Sequence, residues 1–265
     1  MTRLRMALAT LLVAASTFAL AAPATAQVPP IPRIDVPGQA TAIYGVRNTL
    51  PPLSAPTTYA AGPGMAAQIQ AFRASGAYQR EQRVVAFYAS RFQAQWIRRH
   101  CPGAKGHAAD RCPDGRRPAA VFDIDDTLVS WYALYASTGF TYTTAIAEQA
   151  IDGCATPRIA PVVQFYRDTI SRGVTPFLIT GRNDSDRAAT ESCLARLGIR
   201  GYHELVMRTN AQESLTATAY KSAARNDIEA AGYRIITSIG DQVSDSAGGY
   251  TRRGYLLPNP MYFIP

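Results

Sequence analysis

Apolar and polar positions divide the chain into three stretches of different rhythm. Residues 6–22 are an apolar run, and residues 27–64 are rich in Pro, Gly, Ala and Thr without a period. From about Met65 onward, apolar side chains recur at the intervals of helices and strands. In residues 79–99 the set Val84, Val85, Tyr88, Phe92 and Trp96 recurs every three to four positions, which predicts a helix laying an aromatic face on the core or offering it to a partner. Beyond Ala119 the period alternates. Strands are expected at 119–124, 174–180, 204–208, 233–239 and 254–257, with helices at 160–172, 186–197 and 218–231 between them. Such alternation implies an α/β domain whose parallel sheet carries helices on both faces. Residues 129–157 interrupt the pattern after the first strand and read as an insert.

Ligands of open parallel sheets collect at the carboxyl ends of the strands. Four segments there carry chemistry. The first strand runs out through Phe122-Asp123-Ile124-Asp125-Asp126-Thr127-Leu128, placing Asp123 and Asp125 where strand gives way to loop. One carboxylate can attack phosphorus while its neighbour handles protons. Residues 174–182 end in Thr180-Gly181-Arg182, a hydroxyl and a glycine amide able to cradle phosphate oxygens. Tyr220-Lys221-Ser222 opens a helix, and Lys221 is one of two lysines in the chain, so its place is no accident of a lysine-rich surface. Gly240-Asp241-Gln242-Val243-Ser244-Asp245 brings two hard oxygen donors suited to Mg²⁺.

This ordered set, with Leu257-Pro258-Asn259-Pro260-Met261-Tyr262, resembles subfamily IIIB of the haloacid dehalogenase (HAD) superfamily, the secreted acid phosphatases and plant vegetative storage proteins, over roughly residues 65–265. The resemblance implies a Rossmann-like HAD core with a small cap insert (129–157) and an N-terminal helical extension (65–118). It implies catalysis by Asp123 as nucleophile and Asp125 as general acid and then base. Phosphate would be held by Thr180, Gly181 and Lys221. Mg²⁺ would be held by Asp123, the backbone carbonyl of Asp125, Asp241, and Asp245 directly or through water. Storage members are described as replacing the nucleophile, and this chain keeps Asp123. The reading is therefore a Mg²⁺-dependent phosphomonoesterase acting on nucleotides or other small phosphate esters. An idle binding or storage protein on the same scaffold is the alternative. A dehalogenase would need no Mg²⁺, which the pair Asp241 and Asp245 argues against.

Other phosphatase chemistries fail on the letters. A cysteine-dependent site needs Arg six positions after Cys, yet Cys101, Cys112, Cys154 and Cys193 are followed there by His107, Pro118, Ala160 and Ile199. His100 has Arg98 and Arg99 beside it but no glycine turn after it.

The amino terminus changes the compartment. Arg3 and Arg5, the apolar run and Ala24-Thr25-Ala26 read as a signal peptide over residues 1–26, exporting the chain to a periplasm or beyond. A membrane anchor is the competing reading, disfavoured by the absence of basic stop-transfer character after the run. Export permits disulfides. Cys101 with Cys112, and Cys154 with Cys193, is the favoured pairing of the three possible; a zinc site and free buried thiols are the alternatives. Formal charge is +8; losing Arg3 and Arg5 leaves 25 basic residues against 19 acidic, a net of +6. That suits anionic small molecules. No clustered basic helix or aromatic–basic motif points to a nucleic acid polymer. Residues 27–64 read as an arm or linker.

Within the insert, Trp131, Tyr132, Tyr135, Phe140 and Tyr142 either stack on a nucleobase or aromatic leaving group or fill a small core. Asp126 and Thr127 read as braces of the first loop, Asp184 and Asp186 as helix caps, and Arg182 as either a substrate contact or a salt-bridge partner.

Overall fold

The computed structural model describes residues 31–36, 39–46, 59–101 and 112–264. The signal peptide expected at 1–26 lies outside the described residues, as do parts of the arm. In chain order the elements are β1 (Arg33–Ile34), β2 (Ile43–Gly45), β3 (Tyr59–Ala60), α1 (Ala66–Ala74), α2 (Ala77–His100), β4 (Arg117–Phe122), α3 (Tyr132–Ser137), α4 (Thr144–Ile151) and α5 (Ala160–Ser171). Then follow β5 (Thr175–Asn183), α6 (Arg187–Arg196), β6 (Glu204–Arg208), α7 (Ala217–Ala230), β7 (Tyr233–Gly240), β8 (Arg253–Leu256) and β9 (Tyr262–Phe263).

Seven strands form one sheet in the order β1-β2-β8-β7-β4-β5-β6, parallel throughout except for β1 against β2. The expected α/β domain is present. Along β4 the pleat sends Ala120 and Phe122 to one face, where they meet Leu178, Ile236, Val163 of α5 and Val85 and Ala89 of α2. Ala119 and Val121 go to the other, against Phe177, Ile179, Ile235 and the α7 residues Tyr220, Ala224 and Ile228. Phe122 stands opposite Leu178 on one side and Ile239 on the other, so β4 and β7 end nearly level while β5 runs on past them to Asn183.

Two features depart from the pattern reading. The stretch read as an arm supplies β1 and β2, which widen the main sheet beyond β8, and β3, which pairs antiparallel with β9. On α2 the buried stripe is Tyr78, Gln82, Val85, Ala86, Ala89, Gln93 and Ile97. The aromatic set Tyr88, Phe92 and Trp96 packs at its border, half-buried. Gln93 is buried because its amide donates to the hydroxyls of Thr169 (3.1 Å) and Thr237 (3.4 Å), partners distant in sequence.

The insert residues Trp131, Leu134, Tyr135, Phe140 and Ile146 form a separate small core with Ile69 of α1 and Met261 of the returning C-terminal segment. Cys101 is paired with Cys112, and Cys154 with Cys193, leaving no free cysteine. The second bridge ties the segment after α4 to α6. Among the described residues, no helix is long and apolar enough to cross a membrane.

Candidate active site

Asp123 follows β4 directly, its amide donating to the Ile239 carbonyl (3.0 Å). Lys221 reaches it from the first turns of α7. Its Nζ lies 2.9 Å from Asp123 Oδ1 and also donates to Asp245. All three side chains are buried. Asp241, just beyond β7, completes a cluster in which the carboxylates of Asp123, Asp241 and Asp245 lie within 4.8 Å of one another. Asp241 Oδ2 accepts from Gln242 Nε2 (2.5 Å) and Asn259 Nδ2 (2.6 Å), while Asp245 Oδ2 accepts from the Gln242 amide (2.8 Å).

Three buried carboxylates against one ammonium leave excess negative charge. Burial pushes Asp241 up to about 7, the neighbouring Asp245 and Asp126 adding to it against the Asn259 and Gln242 hydrogen bonds. Burial raises Asp123 as well; Lys221 pulls it down, but Asp245, Asp241 and Asp125 push it back. Burial alone would lower Lys221, yet Asp123 and Asp245 outweigh it and keep the ammonium firmly charged. This is a donor set that fits a hard divalent cation. Both Asp245 oxygens are taken by Lys221 and Gln242, whereas Asp123 and Asp241 each have one oxygen engaged. That division leaves Asp123 and Asp241 each with an oxygen free of hydrogen bonds, while Asp245 holds Lys221.

Asp125 is handled differently. Arg182 grips it with two hydrogen bonds, Nε to Oδ2 (3.0 Å) and Nη2 to Oδ1 (2.6 Å), and the Trp131 indole donates to Oδ1 (2.6 Å). Burial would raise this carboxyl, but Arg182 and Trp131 outweigh it and hold it below the ordinary range. Of the two readings of Arg182, the salt bridge is the one observed. Asp126 braces the loop: at φ 50° it accepts from the Trp131 amide (3.0 Å), and burial pushes it up to about 8. Thr180 is wholly buried, its hydroxyl accepting from the Arg182 amide (3.2 Å), and it is Gly181 that forms the cleft wall. Asp186 stands at the α6 N-cap position but its side chain makes no cap hydrogen bond, and Asp184 pairs with Arg187 instead.

The resulting cleft, about 530 Å³, is lined by Asp123, Asp125, Lys221 and Asp241 at its floor and by Trp131, Tyr135, Tyr142 and Tyr262 toward the insert. Tyr135 and Tyr262 stack at 5.3 Å. The insert aromatics therefore divide, since Phe140 fills the small core and Tyr132 lies away from the cleft. Sequence reasoning assigned no role to Asn259, Gln242 or Arg225. Asn259 orients Asp241 while its carbonyl accepts from the Met261 amide (2.9 Å). The one signal for it was its place in Leu257-Pro258-Asn259-Pro260.

Compared with known families, residues 60–265 match the model of HAD superfamily, subfamily IIIB (Acid phosphatase). The chain belongs to that family. Among its relatives are acid phosphatase 1 of Solanum lycopersicum, 31% identical over 61% of this chain and 65% of that protein, and vegetative storage protein 1 of Arabidopsis thaliana, 32% identical over 55% of each. The chain thus spans somewhat over half the length of the curated relatives it matches. The class C acid phosphatase from Bacillus anthracis shares the fold, with a TM-score of 0.55 at 18% identity over 76% of this chain and 87% of that one. A family holding both a phosphatase and a storage protein leaves activity to be argued from the site.

Proposed function

We propose that this chain is an exported, Mg²⁺-dependent phosphomonoesterase working through an aspartyl-phosphate on Asp123. The observation that carries the reading is the separation of two carboxylates by their partners: Asp123 faces Lys221 and the acidic cluster, while Asp125 faces Arg182 and Trp131. One environment suits a nucleophile and the other a proton carrier.

Asp123 Oδ1 is fixed by Lys221, which turns the carboxylate and leaves its second oxygen for the reaction. Lys221, with the Gly181 amide and Thr180 behind it, holds the phosphoryl oxygens. A divalent cation between Asp123, the Asp125 carbonyl and Asp241 would offset the repulsion between an anionic carboxylate and an anionic ester. Asp125 protonates the leaving oxygen, and after departure takes a proton from the water that attacks the acyl phosphate. Held below the usual carboxylate range by Arg182 and Trp131, Asp125 is ionised in the free site, the state that takes a proton from water, and it must gain a proton before it can serve as the acid. The stacked pair Tyr135 and Tyr262, with Trp131, gives an aromatic or nucleoside leaving group a wall to lie on. The cleft takes a small phosphate ester and not a nucleic acid polymer. Two paired disulfides fit the oxidising compartment that the leader implies.

The test is hydrolysis of an aryl phosphate by the mature chain with Mg²⁺ and with chelator, beside Asp123→Asn. Turnover that needs both metal and Asp123 is expected. Absence of turnover in a folded, metal-loaded chain would overturn the proposal in favour of storage.

A further inference from the structure

Behind the Asp125 loop lies a second cavity of about 580 Å³ that shares no lining residue with the cleft. The chain passes between the two: Ser130 and Tyr132 line the second cavity, and Trp131 lines the first. Three arginines from separate elements line the second cavity, Arg73 of α1, Arg83 of α2 and Arg158 ahead of α5. No carboxylate lines it, and among the described residues none lies within ion-pair distance of these three arginines, although Arg116, Arg172, Arg182, Arg187 and Arg234 all have one. The arrangement is held in place. Arg73 lies over the rings of Tyr132 (4.5 Å) and Tyr78 (5.4 Å), and Arg158 donates to the Leu197 carbonyl (3.1 Å).

Two further observations point to a ligand. Gln82, 4% exposed, lines the cavity, and its Nε2 is a buried donor without a hydrogen-bond partner, which is costly unless a shift of the side chain brings something to meet it. The 12-residue helix α5 begins on the same wall, at Ala160 and Pro161, so the positive end of its dipole lies at the cavity, although the Val162 and Val163 amides already donate to the Ile159 carbonyl. Gln79 Oε1, also unpartnered, suits the P–OH of a phosphate monoanion. Arginines arriving from three separate parts of the chain suit a tetrahedral oxyanion better than a flat carboxylate. Ala133, Pro157, Ala160 and Pro161 give the cavity an apolar side wider than a phosphate ion requires.

We propose that this cavity is a second, non-catalytic site that binds the phosphate group of a small molecule, either free phosphate or an organic phosphate. The test is equilibrium dialysis of the mature chain with inorganic phosphate and, separately, with phenylphosphonate. Ala133→Glu places a carboxylate in the cavity from an exposed helical position, and Arg158→Ala removes a donor. Wild type should bind one more phosphate per chain than Ala133→Glu, and Arg158→Ala should weaken that extra site by about tenfold or more. Equal binding by wild type and both variants overturns the proposal. Tighter phenylphosphonate at the extra site assigns it to an organic phosphate; equal or tighter inorganic phosphate assigns it to the free ion.

Discussion

Metal removal should make this protein less stable in proportion to pH, and the acidic cluster sets the size of the effect. Asp241 ionises ordinarily near 3.8 but is pushed to about 7 in the fold. A carboxyl raised in this way favours the folded state only while protonated, so the metal-free chain loses stability as pH rises from about 4 to about 7. At about 1.4 kcal/mol per pH unit for one proton, the ceiling for Asp241 is about 4 kcal/mol. Asp123 is displaced in the same direction and adds to the slope. A cation on Asp123 and Asp241 prefers both ionised, so the stabilisation conferred by Mg²⁺ should be small near pH 4 and larger by about 2–4 kcal/mol near pH 7.5. The assay is urea unfolding followed by circular dichroism, with Mg²⁺ and with chelator, across that range and with the disulfides intact. Asp241→Asn keeps an oxygen to accept from Asn259 and Gln242 but cannot ionise. In chelator at pH 7.5 it should be more stable than wild type. A Mg²⁺ effect of equal size at both pH values, or an Asp241→Asn variant weaker than wild type in chelator at pH 7.5, would refute the reasoning.

Arg182→Gln removes the two-pronged grip on Asp125, so this carboxyl should rise and the limb of the pH–rate profile where the proton carrier deprotonates should move to higher pH, with turnover down by about 10- to 100-fold. An aryl phosphate pH profile superimposable on wild type would count against Arg182 as its positioning partner. Gly240→Ala would place a methyl 1.9 Å from Asp245 Oδ2, which must displace the carboxylate that holds Lys221. Turnover should fall by about 100-fold or more while the sheet persists, and activity within about twofold of wild type would show that Asp245 is not needed where it stands.

Most of the parallel sheet was legible because each core strand is a short apolar run and each helix a 3.6-residue pattern. These are properties of contiguous residues. What escaped depends on partners far away in sequence. The buried face of α2 was placed on its aromatic stripe because glutamine reads as polar, yet Gln93 is sheltered by Thr169 and Thr237 from other elements. The strands β1, β2 and β3 are two or three residues long, too short to show a period, and exist through pairing with β8 and β9. Within the site, the residue types that carry charge to phosphorus stood out at the strand ends. The division of Asp123 and Asp125 between two cations did not, because Arg182 and Lys221 are fixed by the convergence of β5 and α7 and by no local signal.

Arg225 shows what the scaffold adds beyond those motifs. It is wholly buried on α7, one turn beyond Lys221, and donates to the carbonyls of Asp245 (2.8 Å), Ser244 (3.4 Å), Gly249 (3.1 Å) and Ala247. Burial pushes the guanidinium down to about 10, so keeping it charged costs the fold, and no carboxylate is within ion-pair distance among the described residues. The cost is offset by geometry. Drawing the carbonyls of residues 244–249 toward α7 fixes the turn in which the Gln242 amide meets Asp245, and Asp245 in turn holds Lys221 against Asp123. Lys221 and Arg225 thus act from one helix face, the first on the nucleophile and the second on the loop that keeps the first in place. A change at Arg225 should therefore reach the reacting carboxylate through Asp245 without touching substrate.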